Sequence, residues 1–150
     1  MIERRLGFAV VPLVLALAGW LLVSQSAAAA PLSHEVSVDG HPLRVWEKSP
    51  PASDAPVRPR VLLVHGRTWS TLPDFDLQAP GEAVSLMDGL VERGLAAFGV
   101  DLRGYGETPR DDTGWLTPER AAADVAGVLE WLAARDADAP RPYLFGWSYG

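Results

Sequence analysis

The sequence predicts an α/β protein built on a mostly parallel sheet that is led by an antiparallel hairpin. Three observations carry that prediction. Val61-Leu62-Leu63-Val64, residues 95–100 and Tyr143-Leu144-Phe145 are apolar runs without polar alternation, which suits strands buried on both faces. Between them lie two stretches with the 3.6-residue apolar period of amphipathic helices. Upstream, alternating segments flank Asp39-Gly40, a pair that favours a two-residue hairpin turn. Strands separated by helices must run parallel, because the helix is the crossover.

In chain order, residues 1–29 stand outside the fold. Arg4 and Arg5 form a short basic region, and the eighteen residues 6–23 carry no charge. Small residues follow, with alanine at 27, 28, 29 and 30. This is the layout of a signal peptide cut after Ala28 or Ala29, with an uncleaved membrane anchor as the alternative. The chain is therefore expected to be exported, to the periplasm or outside the cell. The folded part is residues 30–150.

The hairpin pairs residues 34–38 with 41–47, placing Val36 with Val38 and Leu43 with Val45 on shared faces. Four prolines between 49 and 60 mark an exposed connection. The strand at 61–64 leads to a loop, and residues 72–80 read as more loop. A helix is predicted over 82–93 from Val84, Met87, Leu90 and Val91, with Gly94 closing it. After the strand at 95–100, a glycine-broken loop reaches Thr117-Pro118-Glu119, an N-cap followed by proline. That helix runs to about 134 on a stripe of Ala121, Val125, Val128, Leu129 and Leu132.

Composition narrows the function. The 48% hydrophobic and 21% charged fractions are those of a globular chain. A net charge of −6 without a lysine or arginine cluster argues against nucleic acid as a partner. The absence of cysteine excludes thiol catalysis, cysteine-ligated zinc and disulfides. His34 and His41 sit in the hairpin without converging partners and read as solvated strand residues, not metal ligands. Gly104-x-Gly106 follows a strand, but Pro109 stands where a dinucleotide loop needs its third glycine. No metal or cofactor is expected.

Sites in open parallel sheets form beyond the carboxyl ends of the strands. Three strands here end in His65-Gly66-Arg67, Asp101-x-Arg103-Gly104-x-Gly106 and Gly146-Trp147-Ser148-Tyr149-Gly150. The last has the G-x-S-x-G pattern of a serine lifted on a sharp strand-to-helix turn. Small residues are needed two places either side, where backbones pass closely.

With those three loops in order, residues 34–150 resemble the N-terminal half of an α/β-hydrolase. The resemblance implies that Ser148 is the nucleophile. It implies oxyanion-hole donors in the backbone N–H of Tyr149 and of Arg67, with Thr68 the alternative to Arg67. It gives His65, Gly66, Asp101 and Arg103 loop-shaping roles. The family's acid and histidine follow the nucleophile, whereas all three histidines here precede Ser148. The fold is accordingly expected to be incomplete at the C-terminus, the chain being part of a protein nearer twice this length. The expected activity is hydrolysis of an ester, amide or related acyl bond in a small-molecule substrate. A membrane is a partner only if the N-terminal segment stays uncleaved. The alternative is a non-catalytic exported binding protein of the same fold.

Overall fold

A computed structural model describes residues 30–51 and 58–150; the segment read as a signal peptide lies outside the described residues. Two antiparallel strands, β1 (Leu32–Val38) and β2 (His41–Lys48), are joined through Asp39 and Gly40, both at positive φ. Then come β3 (Arg60–Val64), α1 (Thr71–Phe75), α2 (Leu86–Glu92), β4 (Ala96–Asp101), α3 (Pro118–Arg135) and β5 (Tyr143–Gly146). They form one five-stranded sheet in the order β1-β2-β4-β3-β5, with β2 antiparallel to β4 and the last three strands mutually parallel.

The strand order explains where the helices lie. The crossover from β3 to β4 and the crossover from β4 to β5 travel in opposite directions along the sheet. Right-handed connections then put their helices on opposite faces. The pleat divides the apolar side chains accordingly. Leu62, Val64, Phe98 and Val100 join Val36, Leu43, Val45 and the α3 residues Ala121, Val128 and Leu132 in one core. Val61, Leu63 and Ala97 face the other way, onto Phe75 of α1 and Met87 of α2.

Two predicted elements differ from the structure. Part of the 72–80 loop is the single-turn helix α1. Its start is pressed onto β4, where a Cβ at Gly99 would lie 2.1 Å from the Thr71 methyl. The second helix begins at Leu86, not 82, because Ser85 is its N-cap and accepts from the Asp88 amide. Val84 is left outside it and exposed. Within the present sequence the strand Tyr143-Leu144-Phe145 is paired on one side, with β3. Its side chains are 64%, 56% and 44% exposed, with Phe145 set edge-on to Phe75 of α1, ring centroids 6.1 Å apart. An open apolar groove of about 570 Å³ runs along it, between Leu144 and the α3 residues Ala122, Val125 and Leu129.

One buried ion cluster holds α1 and α2 to the hairpin. Lys48 Nζ at the end of β2 reaches Asp76 Oδ1 at 2.6 Å and Asp88 Oδ1 at 2.7 Å, and Ser85 Oγ adds a bond to Asp76. Burial raises the Asp88 carboxyl pKa, but its bonds to Lys48, Gln78 and Ser85 outweigh that and hold it below its ordinary value. A folded-state value below the unfolded one means this contribution is complete above the ordinary carboxyl range. It is lost as pH falls through the lowered value. Replacing Lys48 by Met leaves the Asp76 carboxylate buried without its cation. In the full-length protein, Lys48→Met is expected to destabilise the fold by about 3–5 kcal/mol, read as a lower urea midpoint.

Candidate active site

Three loops emerge from the carboxyl ends of β3, β4 and β5 and meet at one edge of the sheet. The last is the tightest. Trp147 N–H donates to Val64 O at 3.0 Å, extending the β3–β5 pairing by one bond. The chain then reverses, and Gly150 N–H closes the turn on Trp147 O at 2.9 Å. Ser148 sits at its tip with φ of +57°, a conformation that costs a non-glycine residue on the order of 1–3 kcal/mol. The flanking glycines are steric requirements. A Cβ on Gly146 would lie 2.4 Å from the Gly150 carbonyl, and one on Gly150 would lie 2.2 Å from Val64 O.

The loop after β3 lies against this turn. A Cβ at Gly66 would stand 3.1 Å from the Trp147 ring and 3.3 Å from Ser148 Cβ. Gly66 N–H is held by Asp74 Oδ2 of α1 at 2.9 Å. His65 is buried, and both ring nitrogens are engaged. The Leu102 amide donates to Nε2 at 3.1 Å, so the proton is on Nδ1, which donates to Gly66 O at 2.8 Å. The imidazole also packs on Tyr105, with centroids 5.0 Å apart. Its lone pair is spent on a backbone amide and is not offered to Ser148. Among the described residues, the backbone N–H groups of Arg67 and Tyr149 and the Ser148 hydroxyl have no hydrogen-bond partner.

Asp101 closes β4 and is 1% exposed. Its Oδ1 accepts from Thr71 N–H at 2.8 Å, and its Oδ2 from Trp46 Nε1 and Glu107 N–H at 3.0 Å each. Gly106 at φ +53° permits this, since a Cβ there would fall 2.1 Å from Oδ2. Thr108 Oγ1 donates to Asp101 O and accepts from Arg44 N–H. Arg103 forks onto Asp124 of α3 through Nε and a terminal nitrogen at 2.8–2.9 Å. The Asp124 bond, chiefly, raises the guanidinium pKa above its ordinary value.

Asp74, Thr71, Trp46 and Asp124 position these loops, and sequence reading passed over all four. Asp124 had a signal, being a charge inside the apolar stripe of α3, which predicts a buried cation beside it. The other three are meetings of residues 30 or more apart in sequence, or a turn of helix too short to show a period. Of the remaining histidines, His34 bonds Glu47 at 2.7 Å and His41 lies 3.0 Å from Pro109 O. Both belong to β1 and β2, on the side of the sheet away from β5.

A parallel α/β sheet with an acute serine turn at the carboxyl end of a strand, packed against the loop after the neighbouring strand, is the architecture of a hydrolase of this fold. Residues 61–150 match the model of the alpha/beta hydrolase family; the chain belongs to that family. No curated protein matches it. Among solved structures it is similar to epoxide hydrolase VrEH1 from Vigna radiata, at 23% identity and a TM-score of 0.60, over 81% of this chain and 32% of that one. It is also similar to Est1E from Butyrivibrio proteoclasticus, solved with ferulic acid bound, at 20% identity and a TM-score of 0.60, over 78% and 43%. A thioesterase domain from the curacin biosynthetic pathway matches at 19% identity with a TM-score of 0.57, over 81% and 37%. The chain thus spans between about a third and two-fifths of these structures.

Asp101→Asn tests how firmly the loops are tied. Either amide orientation sets an NH₂ group against at least one N–H donor. The expected cost is about 1–3 kcal/mol, measured by denaturant unfolding of the full-length protein.

Proposed function

We propose that this chain supplies the nucleophile, Ser148, of an exported serine hydrolase that cleaves an ester, amide or related acyl bond in a small molecule. The observation that carries the reading is the strained Ser148 turn, with a free hydroxyl and the loop after β3 packed against it at Gly66. Strain at one residue, held by two glycines that admit no Cβ, is a device for presenting a side chain. In the proposed reaction Ser148 Oγ attacks the acyl carbon while its proton passes to a histidine base. The carbonyl oxygen takes up the charge and is held by the Tyr149 and Arg67 amides. The tetrahedral species then expels the alcohol or amine, protonated by that histidine, and water releases the acid from the acyl-enzyme.

None of the three histidines here fits the base. His65 has both nitrogens engaged, and His34 and His41 lie across the sheet. The base and its acid partner therefore belong, on this reading, to residues outside the present sequence, following Ser148 as in the family resemblance.

The chemistry of serine also favours an acyl bond over an epoxide. An epoxide opened by a serine oxygen would leave an ether, which water does not cleave, so the enzyme could not turn over. An acyl-serine ester is hydrolysable. That distinction separates this chain's proposed reaction from the one named for its epoxide hydrolase neighbours.

In the full-length protein a fluorophosphonate probe should label Ser148. Ser148→Ala should abolish labelling and reduce kcat by about 10⁶-fold; substantial turnover by that variant would sink the assignment. Export rests on the uncharged stretch 6–23 and the alanines after it. Intact mass of the secreted protein should show a start near residue 29 or 30, and a mass that retains Met1 would favour the anchor.

A further inference from the structure

A second cavity, of about 260 Å³, opens between the loops after β3 and β4. It begins one residue from the Ser148 contact, since Gly66 touches the serine turn and Arg67 and Thr68 line the cavity. Arg67, Arg103 and Arg110 contribute to its wall, together with one carboxylate, Asp111. That carboxylate is already committed. It pairs with Arg103 at 3.5 Å and Arg120 at 2.5 Å, while Arg103 is forked onto Asp124. Bonds from Thr113, then Arg120 and Arg103, hold the Asp111 carboxyl below its ordinary value and keep it charged for those partners.

Arg67 and Arg110 have no hydrogen-bonding or ionic partner among the described residues, although the chain has 19 acidic against 13 basic side chains. Two uncommitted guanidinium groups on one concave surface are an unbalanced positive site in an acidic chain. The Arg110 stem is also placed by the backbone. It crosses Gly104, φ +78°, so closely that a Cβ there would lie 2.9 Å from its Cγ. Beside the two cations stand Tyr105 and Trp115, the latter 68% exposed, flat apolar surfaces for a carbon skeleton.

We propose that this cavity binds an anionic oxygen group, a carboxylate or a phosphate carried on an apolar body, through the side chains of Arg67 and Arg110. Because its wall begins at Arg67, next to the Gly66 that lies against Ser148, it makes the preferred substrate an acyl compound with a negative charge away from the scissile bond. That last step rests on the Ser148 reading; the anion site does not. Planar guanidinium groups suit both kinds of oxyanion, because each presents paired N–H donors to two oxygens.

Calorimetric titration of the full-length protein with benzoate, phenyl phosphate and neutral benzyl alcohol tests the site without any turnover. Both anions, or one of them, should bind more tightly than the alcohol and more weakly as salt rises. The tighter anion identifies the group. Arg110→Met and Arg67→Met should each weaken anion binding by roughly tenfold, and Arg141→Gln, at the far end of β5, should leave it unchanged. Anions that bind no better than benzyl alcohol, or binding indifferent to both methionine variants, would overturn the site. In kinetics, a p-nitrophenyl hemisuccinate should exceed p-nitrophenyl butyrate in kcat/KM by about tenfold, and that ratio should fall in Arg110→Met. Equal kcat/KM values would remove the substrate preference. Intact anion binding without Ser148-dependent turnover would instead fault the nucleophile reading alone.

Discussion

The buried carboxylate of Asp101 is the junction on which the site geometry depends. It sits where β4 ends and three separate parts of the chain must be held: the hairpin through Trp46, the start of α1 through Thr71 and the following loop through Glu107. A buried carboxylate is costly unless its oxygens are satisfied. Here three N–H donors satisfy them, and each donor arrives from a different segment. The same bonds that make burial tolerable therefore fix those segments relative to one another. Gly99 and Gly106 belong to this junction, because each leaves the space that Thr71 and the carboxylate fill.

From that junction the order of the site follows outward. Fixing Thr71 fixes α1, and α1 carries Asp74, which holds the Gly66 amide. Gly66 lies against Trp147 and Ser148, so the position of the serine turn is transmitted from Asp101 through α1. His65 makes a second path between the same loops by joining Leu102 to Gly66. Its role is geometric for the reason that makes it unavailable as a base: one nitrogen accepts from an amide and the other donates to a carbonyl.

The loop after β4 shows how charge is apportioned. Arg103 and Arg120 neutralise Asp111 and Asp124 and fasten the loop to α3. Arg67 and Arg110 line the same cavity, and among the described residues neither is paired with a carboxylate. Structural and uncommitted arginines thus stand side by side, and only the pairing pattern tells them apart. Composition alone would have counted all four as the minority charge of an acidic chain.

Much of the fold was legible in the sequence, because period and turn chemistry are local. The hairpin at Asp39-Gly40, the strands around 61–64 and 96–101, and the capped helix from Pro118 each announced themselves within a few residues. The loop motifs at 65–67, 101–106 and 146–150 were legible for the same reason, since glycines mark where a backbone has no room for a Cβ. Tertiary structure alone decided the rest. It made α1 out of a proline-containing loop by packing Thr71 on Gly99 and bonding its amide to Asp101. It also chose which arginines are paired. A helix of one turn has no period, and an ion pair depends on distance in space. Neither is a property that neighbouring residues can encode.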